Sequence, residues 1–356
     1  MTTRTAAGFR FLSAKAILQT CVSLSLLAPA CLAAPAKAAP EPKVIRWIVA
    51  HDRGNSFFTG VLDRFAADVA KRSEGALKVE FVPSKASDTT LDDDAYQKVI
   101  QGSADMSQLD ASRAGAPVFQ APMLFRNYDH AEVVFEGPVG KKLLNGVAAD
   151  SQGRLEGLAF TYSGGYRILV GSIAVHQLSD LKGARMRRNA GPARFMGELG
   201  ANLVDLGAES RERPIQGILQ GKLDLEETEI NRLAIVGQDH PEFLKNLAYI
   251  NLTRHRMYVT AIVANVKFLK GLPEAQRRML ELEIKNLSVA ERKLSVDLEA
   301  RNLKALQAGG AKIVTLPDSE RAKLAQAAKS FLKGFPELAA SVKEIQAAPD
   351  TRLARQ

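Results

Sequence analysis

Cysteine is almost absent from this 356-residue chain: the only two, Cys21 and Cys31, lie close to the N-terminus. The rest of the chain therefore has no disulfide, no thiolate nucleophile and no Cys-ligated metal. Cofactor and phosphate motifs are missing as well. There is no G-x-G-x-x-G, no G-x-x-x-x-G-K, no H-E-x-x-H and no G-x-S-x-G, which removes the strongest signals for dinucleotide, nucleotide, zinc-hydrolase and serine-hydrolase chemistry. The five histidines, His51, His130, His176, His240 and His255, are scattered and never at ligand spacing. No cofactor and no metal are expected. Asp92-Asp93-Asp94 lacks the alternating ligands and central Gly of a calcium loop and reads as a solvated helix start. The basic clusters Arg185–Arg188, Arg254-His255-Arg256 and Arg277-Arg278 are separate and carry no interleaved aromatics, a pattern that excludes nucleic acid as the expected partner.

One long apolar run is present, and it is N-terminal. Arg4, Arg10 and Lys15 precede an acid-free apolar stretch from Ala16 to Ala34, and Ala36 and Ala38 follow at signal-peptidase spacing. Residues 1–38 are read as an export signal, and the localisation expected is the periplasm. A membrane anchor fits less well, because Pro29 and Pro35 interrupt the run. Removing the segment takes away Arg4, Arg10, Lys15 and Lys37 and no acid, so the charge falls from +9 to +5. The remaining chain is only mildly basic, 46% of the whole is hydrophobic, and the length suits two domains or two lobes.

Strand and helix patterns alternate from there. Val44–Ala50 is a buried-strand run, and Phe58, Val61, Leu62, Phe65 and Val69 recur at helical spacing after Asn55 and stop at Gly75. Leu77–Val82 alternates as a strand. Further strands are expected at 104–109, 158–162, 166–170, 184–188, 202–206, 249–252, 257–264 and 312–316. Helices are expected at 95–100, 130–147, 194–199, 214–219 and, as one long brace, 273–307, with others after Asp318 and Pro336. No internal sequence repeat stands out. The fold class predicted is α/β, with two lobes, each a sheet flanked by helices, and a ligand cleft between them.

The positive chemical signal is arginine. In Ala184-Arg185-Met186-Arg187-Arg188, strand alternation sends Arg185 and Arg187 to one face and Met186 and Arg188 to the other. An Arg at a strand end beside a cleft can hold a carboxylate with two parallel N–H bonds, which Lys cannot do. Arg167, after Gly164-Gly165-Tyr166, is a second candidate.

Several ordered segments resemble the solute-binding subunit of tripartite ATP-independent periplasmic (TRAP) transporters, the C4-dicarboxylate-binding type. Arg72-Ser73-Glu74-Gly75-Ala76-Leu77-Lys78-Val79 is similar to the family's R-S-x-G-x-hydrophobic-K-V. Gln101-Gly102-Ser103-Ala104-Asp105-Met106 resembles x-G-x-x-D-M, and Pro122–Phe125 with Tyr128–Ala131 resembles P-F-L-F followed by Y-x-H-A. In the second half Gly165-Tyr166-Arg167 resembles G-F-R, and Asp180–Arg187 resembles D-L-K-G-x-K-I-R, whose last Arg pairs with the ligand carboxylate. Gly200-Ala201-Asn202 and Gln220–Asp224 resemble G-A-N and x-G-x-x-D. The family's D-G-x-E-N-P is replaced by Asp224-Leu225-Glu226-Glu227-Thr228-Glu229, with Thr228 at the Asn position, and Ser87–Asp94 replaces a first-lobe L-G loop.

The resemblance implies a binding protein rather than an enzyme. Its ligand would be an organic acid, held by Arg187 and Arg167 with Thr228, Glu227, His51 and Asn55, and its partner a membrane permease driven by an ion gradient. It also implies lobe I from residues 39–164 plus 254–293, and lobe II from residues 165–253 plus 294–356, in a monomer or weak dimer. A sensor subunit coupled to a membrane kinase is one alternative. An exported two-lobed enzyme using His51, His255 or Asp92–Asp94 is another.

Overall fold

The computed structural model describes residues 41–49, 58–84, 91–188, 192–206 and 212–350. Elements follow in the order β1 (Lys43–Val49), α1 (Thr59–Arg72), β2 (Leu77–Pro83), α2 (Leu91–Gln101), β3 (Met106–Asp110), α3 (Tyr128–Glu136), α4 (Pro138–Asp150) and β4 (Leu155–Gly171). Then come β5 (Arg185–Arg187), α5 (Pro192–Glu198), β6 (Asn202–Val204), α6 (Glu212–Leu219), β7 (Leu225–Thr228), α7 (Ile230–Asp239), α8 (Pro241–Asn246) and β8 (Tyr249–Asn265). The chain ends with α9 (Val266–Lys270), α10 (Glu274–Ala308), β9 (Lys312–Thr315), α11 (Asp318–Leu332) and α12 (Ala339–Gln346).

The strands form one sheet in the order β2-β1-β3-β8-β4-β7-β5-β6, with β9 added alongside β8. That order is a palindrome. A parallel β-α-β-α-β unit (β1, β2, β3) and its counterpart (β5, β6, β7) flank two 17-residue antiparallel strands, β4 and β8. The duplication extends to atoms. The Asp105 carboxylate accepts from the Arg46 backbone N–H at 2.8 Å and from its guanidinium, which also reaches the Gly102 carbonyl at 3.0 Å. Asp224 does the same to Arg185, whose guanidinium reaches the Gly221 carbonyl at 2.6 Å. The sequence pattern behind it is Gln-Gly-x-x-Asp, at 101–105 and again at 220–224; its short length hid the repeat.

Each half buries its own pair of cores. Around the first, Trp47, Phe65, Val69 and Leu287 fill one side, and Phe119, Phe135, Phe160 and Tyr162 the other. Around the second, Ile168, Leu233 and Ile250 fill one side, and Leu169, Met186, Phe195 and Leu324 the other. Helix α10 contributes Leu280, Ile284 and Leu287 to the first half and Leu303 and Leu306 to the second, so it braces both. The expected helix over 130–147 is two helices, α3 and α4, because Gly137 leaves the helical region and Pro138 starts α4.

The four short strands expected at 158–162, 166–170, 249–252 and 257–264 are two long ones. Gly164 and Gly165, with φ of +86° and +94°, make a kink that β4 passes through, and register shifts between Tyr162 and Tyr166 absorb it. Opposite them Arg254 adopts φ +43°. The Tyr128 hydroxyl donates to the Glu299 carboxylate and accepts from the Tyr166 backbone N–H at 3.2 Å, packed where a Gly165 side chain would stand. Gly165→Ala is therefore expected to cost about 2–4 kcal/mol, from left-handed strain plus displacement of Tyr128. A urea melt checks this; an unchanged midpoint would show that the kink tolerates a side chain.

Candidate functional site

Register fixes where the parallel strands point. Residue 110, the carboxyl end of β3, pairs with Thr260 of β8, and Thr228, the carboxyl end of β7, pairs with Ile168, three residues past the Gly164-Gly165 kink of β4. Both units thus aim their strand carboxyl ends at the kinked middle of the β4–β8 pair, the place where open α/β sheets bind ligands. His51 and Asn55, two of the predicted contacts, lie outside the described residues.

Four of the predicted residues, Arg187, Arg167, Thr228 and Glu227, come from β4, β5 and β7 beside this kink. Glu227 is buried; the Arg256 guanidinium donates to its Oε1 at 3.0 Å, and Arg167 Nε at 3.4 Å and His255 Nε2 at 3.8 Å lie close to the same oxygen without a hydrogen bond. Burial pushes this carboxyl up, but Arg256, His255 and Arg167 outweigh burial and hold it well below the usual range. Arg167 Nη1 pairs with Glu229 at 3.2 Å, and its guanidinium lies 4.8 Å over the Tyr258 ring. Asp110 also adds to the field that keeps Arg167 charged. By the duplication Asp110 and Glu229 are equivalent positions, so Arg167 is flanked by one carboxylate from each half.

Arg187 is different. Its partly exposed side chain has no hydrogen bond or ion pair among the described residues, whereas Arg185, two residues earlier, is held by Asp224 at 2.5 Å. Arg187 acts electrostatically on Glu226, a buried carboxyl pushed up to about 8 by desolvation, whose Oε2 has no partner among the described residues. The position equivalent to Arg187 in the first half is Ile48, so only the second half supplies this cation. Thr228, at the strand end, is partly buried and presents one hydroxyl.

Arg256 belongs to this cluster and was not among the predicted contacts. No local sequence pattern marked it: it stands opposite Arg167 only through the β4–β8 pairing. Thr253 Oγ1 and His255 Nδ1 are 2.9 Å apart, and with Glu227 they have the order of nucleophile, base and orienting acid. Thr253 is 3% exposed and His255 1%, so both side chains are shut off from solvent in this structure. On α2, Asp93 pairs with Arg113 and Asp94 with Ser84 and Lys98. No group of three metal-ligating side chains occurs among the described residues, and no helix there is long and apolar enough to cross a membrane.

Behind the kink, Gln108 Nε2 donates to Thr260 Oγ1 at 2.9 Å and to the Glu291 carboxyl of α10 at 3.3 Å. Burial pushes Glu291 up to about 8. Gln108 is the counterpart of Glu227, so the first half places a neutral amide where the second places an ion.

Comparison with known proteins agrees with this geometry. A relative from Verminephrobacter eiseniae, described as a solute-binding protein, is 25% identical over 305 residues, covering 83% of this chain and 86% of its own. A sugar-acid binding protein from Advenella mimigardefordensis, solved with galactonate, superposes with a TM-score of 0.72 at 22% identity, covering 86% of this chain and 98% of its own. A TRAP periplasmic solute-binding protein from Shewanella oneidensis, solved with succinate, gives a TM-score of 0.72 at 18% identity, covering 86% and 99%. The two-lobed α/β fold is therefore that of periplasmic solute-binding proteins. The family model for DctP, bacterial extracellular solute-binding protein family 7, matches residues 50–209 and 228–337, more than half of the chain, and the chain belongs to that family.

Proposed function

We propose that this protein captures an organic acid outside the cytoplasm and delivers it to a TRAP-type membrane permease. The observation that carries the reading is Arg187: a guanidinium without an ion pair among the described residues, at the carboxyl end of a parallel strand, in a family 7 chain. Its fork would take a carboxylate with two parallel N–H bonds. Arg167 retains N–H groups beyond those facing Glu227 and Glu229 and would donate to the ligand as a neutralised wall. Thr228 would add one hydroxyl contact, and the Glu227–Arg256–His255 cluster would hold Arg167 in place. His51 and Asn55 would close the first-lobe side. The boundary between the lobes would follow the β4–β8 kink near residues 164 and 254, with α10 as the brace. Closure requires that the acid bind the closed form better than the open one, which a carboxylate touching both lobes would supply.

A thermal-shift screen against sugar acids, aliphatic acids and their uncharged alcohol counterparts tests this. An acid at a hundred times its Kd should stabilise the protein by about 2.7 kcal/mol, a rise of about 5 °C. Stabilisation by the alcohols and not the acids would sink the reading. Small-angle scattering with and without the hit should show compaction.

A further inference from the structure

The two long strands that join the halves are interrupted where the halves meet. Residues 163–165 of β4 stand opposite Tyr258 alone, and residues 252–255 of β8 opposite Ile168 alone, so ladder pairing lapses on both strands within a few residues. Helix α10 changes character at the same level. Its buried residues between Leu287 and Leu306 are all polar: Ser288, Glu291, Arg292, Ser295 and Glu299. Ser295 Oγ donates to the Tyr162 carbonyl at 3.2 Å, just before the kink. Apolar packing is non-directional and tolerates sliding, whereas hydrogen bonds fix one geometry.

Glu299 stands at the centre of these contacts, 7% exposed and with both oxygens engaged. Oε1 accepts from Arg254 Nη2 at 3.0 Å, and Oε2 accepts from the Tyr128 hydroxyl, which in turn accepts from the Tyr166 backbone N–H at 3.2 Å. One carboxylate of α10 thus holds both interrupted strands, and it reaches β4 through a side chain of α3, an element of the first half. Burial and the Glu299 charge push the Tyr128 hydroxyl up, so it keeps its proton and donates. From the second half, α11 sends Arg321 Nη1 to the Thr253 carbonyl at 3.2 Å, beside Arg254. Arg254 itself is held at φ +43°, a strained value for a residue with a side chain, which persists only while its surroundings enforce it. Resting on the proposed closure about this kink, we infer that Glu299 is a latch: by tying Arg254 and, through Tyr128, the Tyr166 backbone to α10, it favours the setting of the two halves in this structure. It acts on the Arg187 site as a positioning residue, changing affinity by shifting populations rather than by contact with the acid.

Spin-label distance measurement tests the latch. The only cysteines are Cys21 and Cys31, so with both replaced by serine, Arg64→Cys on α1 and Glu198→Cys on α5 place one label on an exposed position of each half. Glu299→Gln and Tyr128→Phe are each expected to move the distance distribution of the acid-free protein away from the separation in this structure. Affinity should follow, with its sign fixed by linkage. In calorimetric titrations with galactonate, galacturonate and succinate, the variants should bind about 10-fold more tightly if the acid that binds moves the wild-type distribution in that same direction, and about 10-fold more weakly if it favours the present separation. Because the two residues share one hydrogen bond, the double variant should shift no further than Glu299→Gln alone. Arg254→Gly, which relaxes the strained backbone and removes the ion pair, should move the distribution the same way and serves where Glu299→Gln folds poorly. An unchanged distribution in the folded variants, even beside a lowered melting temperature, overturns the latch, as does an affinity change of the opposite sign. If no acid binds here or in the wider screen, acid capture fails, while the acid-free distances still decide whether Glu299 sets the angle between the halves.

Discussion

Arg187→Ala is expected to weaken acid binding by at least about 100-fold, close to 3 kcal/mol, because a carboxylate removed from water would lose the forked counter-charge proposed to hold it. The same change should leave the ligand-free protein nearly as stable as before. Arg187 makes no ion pair among the described residues, so no partner is stranded. Its neighbour Glu226 is already pushed up to about 8 by burial, with Arg187 the main force pulling the other way. Losing Arg187 raises Glu226 further and keeps it neutral at pH 7. Arg187→Lys retains the charge but not the fork and should fall between the two, by about 10-fold. Arg256→Ala provides the contrast, since it exposes buried Glu227 to the loss of its 3.0 Å partner and should lower stability as well as affinity. Titration calorimetry with a hit from the acid screen, together with melts of the ligand-free proteins, reads both quantities. Wild-type affinity in Arg187→Ala would remove Arg187 from the site.

How far the site could be read from the sequence depended on which residues report their neighbours. Strand alternation separated Arg185 and Arg187 from Met186, and Met186 is buried in the core as that predicts. Alternation could not say which of the two arginines was already occupied; that needed Asp224, which hydrogen-bonds Arg185 across the β5–β7 pair. The cluster Arg254-His255-Arg256 was visible as basic residues only. Its meaning comes from pairing with β4, a partner about ninety positions away, and no local periodicity encodes that.

The architecture was legible in the same uneven way. The β1-α1-β2 entry and α10 were read to within a few residues, since Phe58, Leu62, Phe65 and Val69 mark one helical face and Pro273 and Gly309 bracket the long helix. Strands β4 and β8 were each read as two, because Gly164-Gly165 and Arg254-His255-Arg256 look like breaks when a strand is judged by its own residues. Pairing between two long strands carries such breaks as bulges. Helices α7, α8 and α9 were missed: α8 and α9 are short, and α7 follows β7 after a single residue, Glu229.

Arg292→Ala is expected to be the most destabilising single change, at about 3–5 kcal/mol, or roughly 10 °C in Tm, because it empties a fully buried side-chain site and strands the partly buried Glu132 and Glu136. Arg292 projects from α10 with 1% of its side chain exposed. Nη1 donates to the Phe160 carbonyl of β4 at 2.7 Å, Nη2 to Glu136 at 2.6 Å and Nε to Glu132 at 3.3 Å, so one side chain ties the brace to α3 and to the central strand. Burial pushes the Glu136 carboxyl up, but Arg292, helped by Lys285, outweighs it and holds the folded-state value below normal. A depressed carboxylate contributes stability that is present above its unfolded value and is lost as pH falls through its folded value. The Arg292→Ala penalty should therefore be largest at neutral pH and shrink in acid, as Glu136 takes up a proton. Arg292→Met restores packing against Phe135 without the charge, and combining it with Glu132→Gln and Glu136→Gln should recover most of the loss, since an apolar side chain then faces neutral partners. Denaturant melts from pH 3 to 8 on the single and combined variants decide the matter. A penalty that does not depend on pH, or a combination no more stable than Arg292→Met alone, would show that packing rather than the ion pairs holds α10 to the sheet.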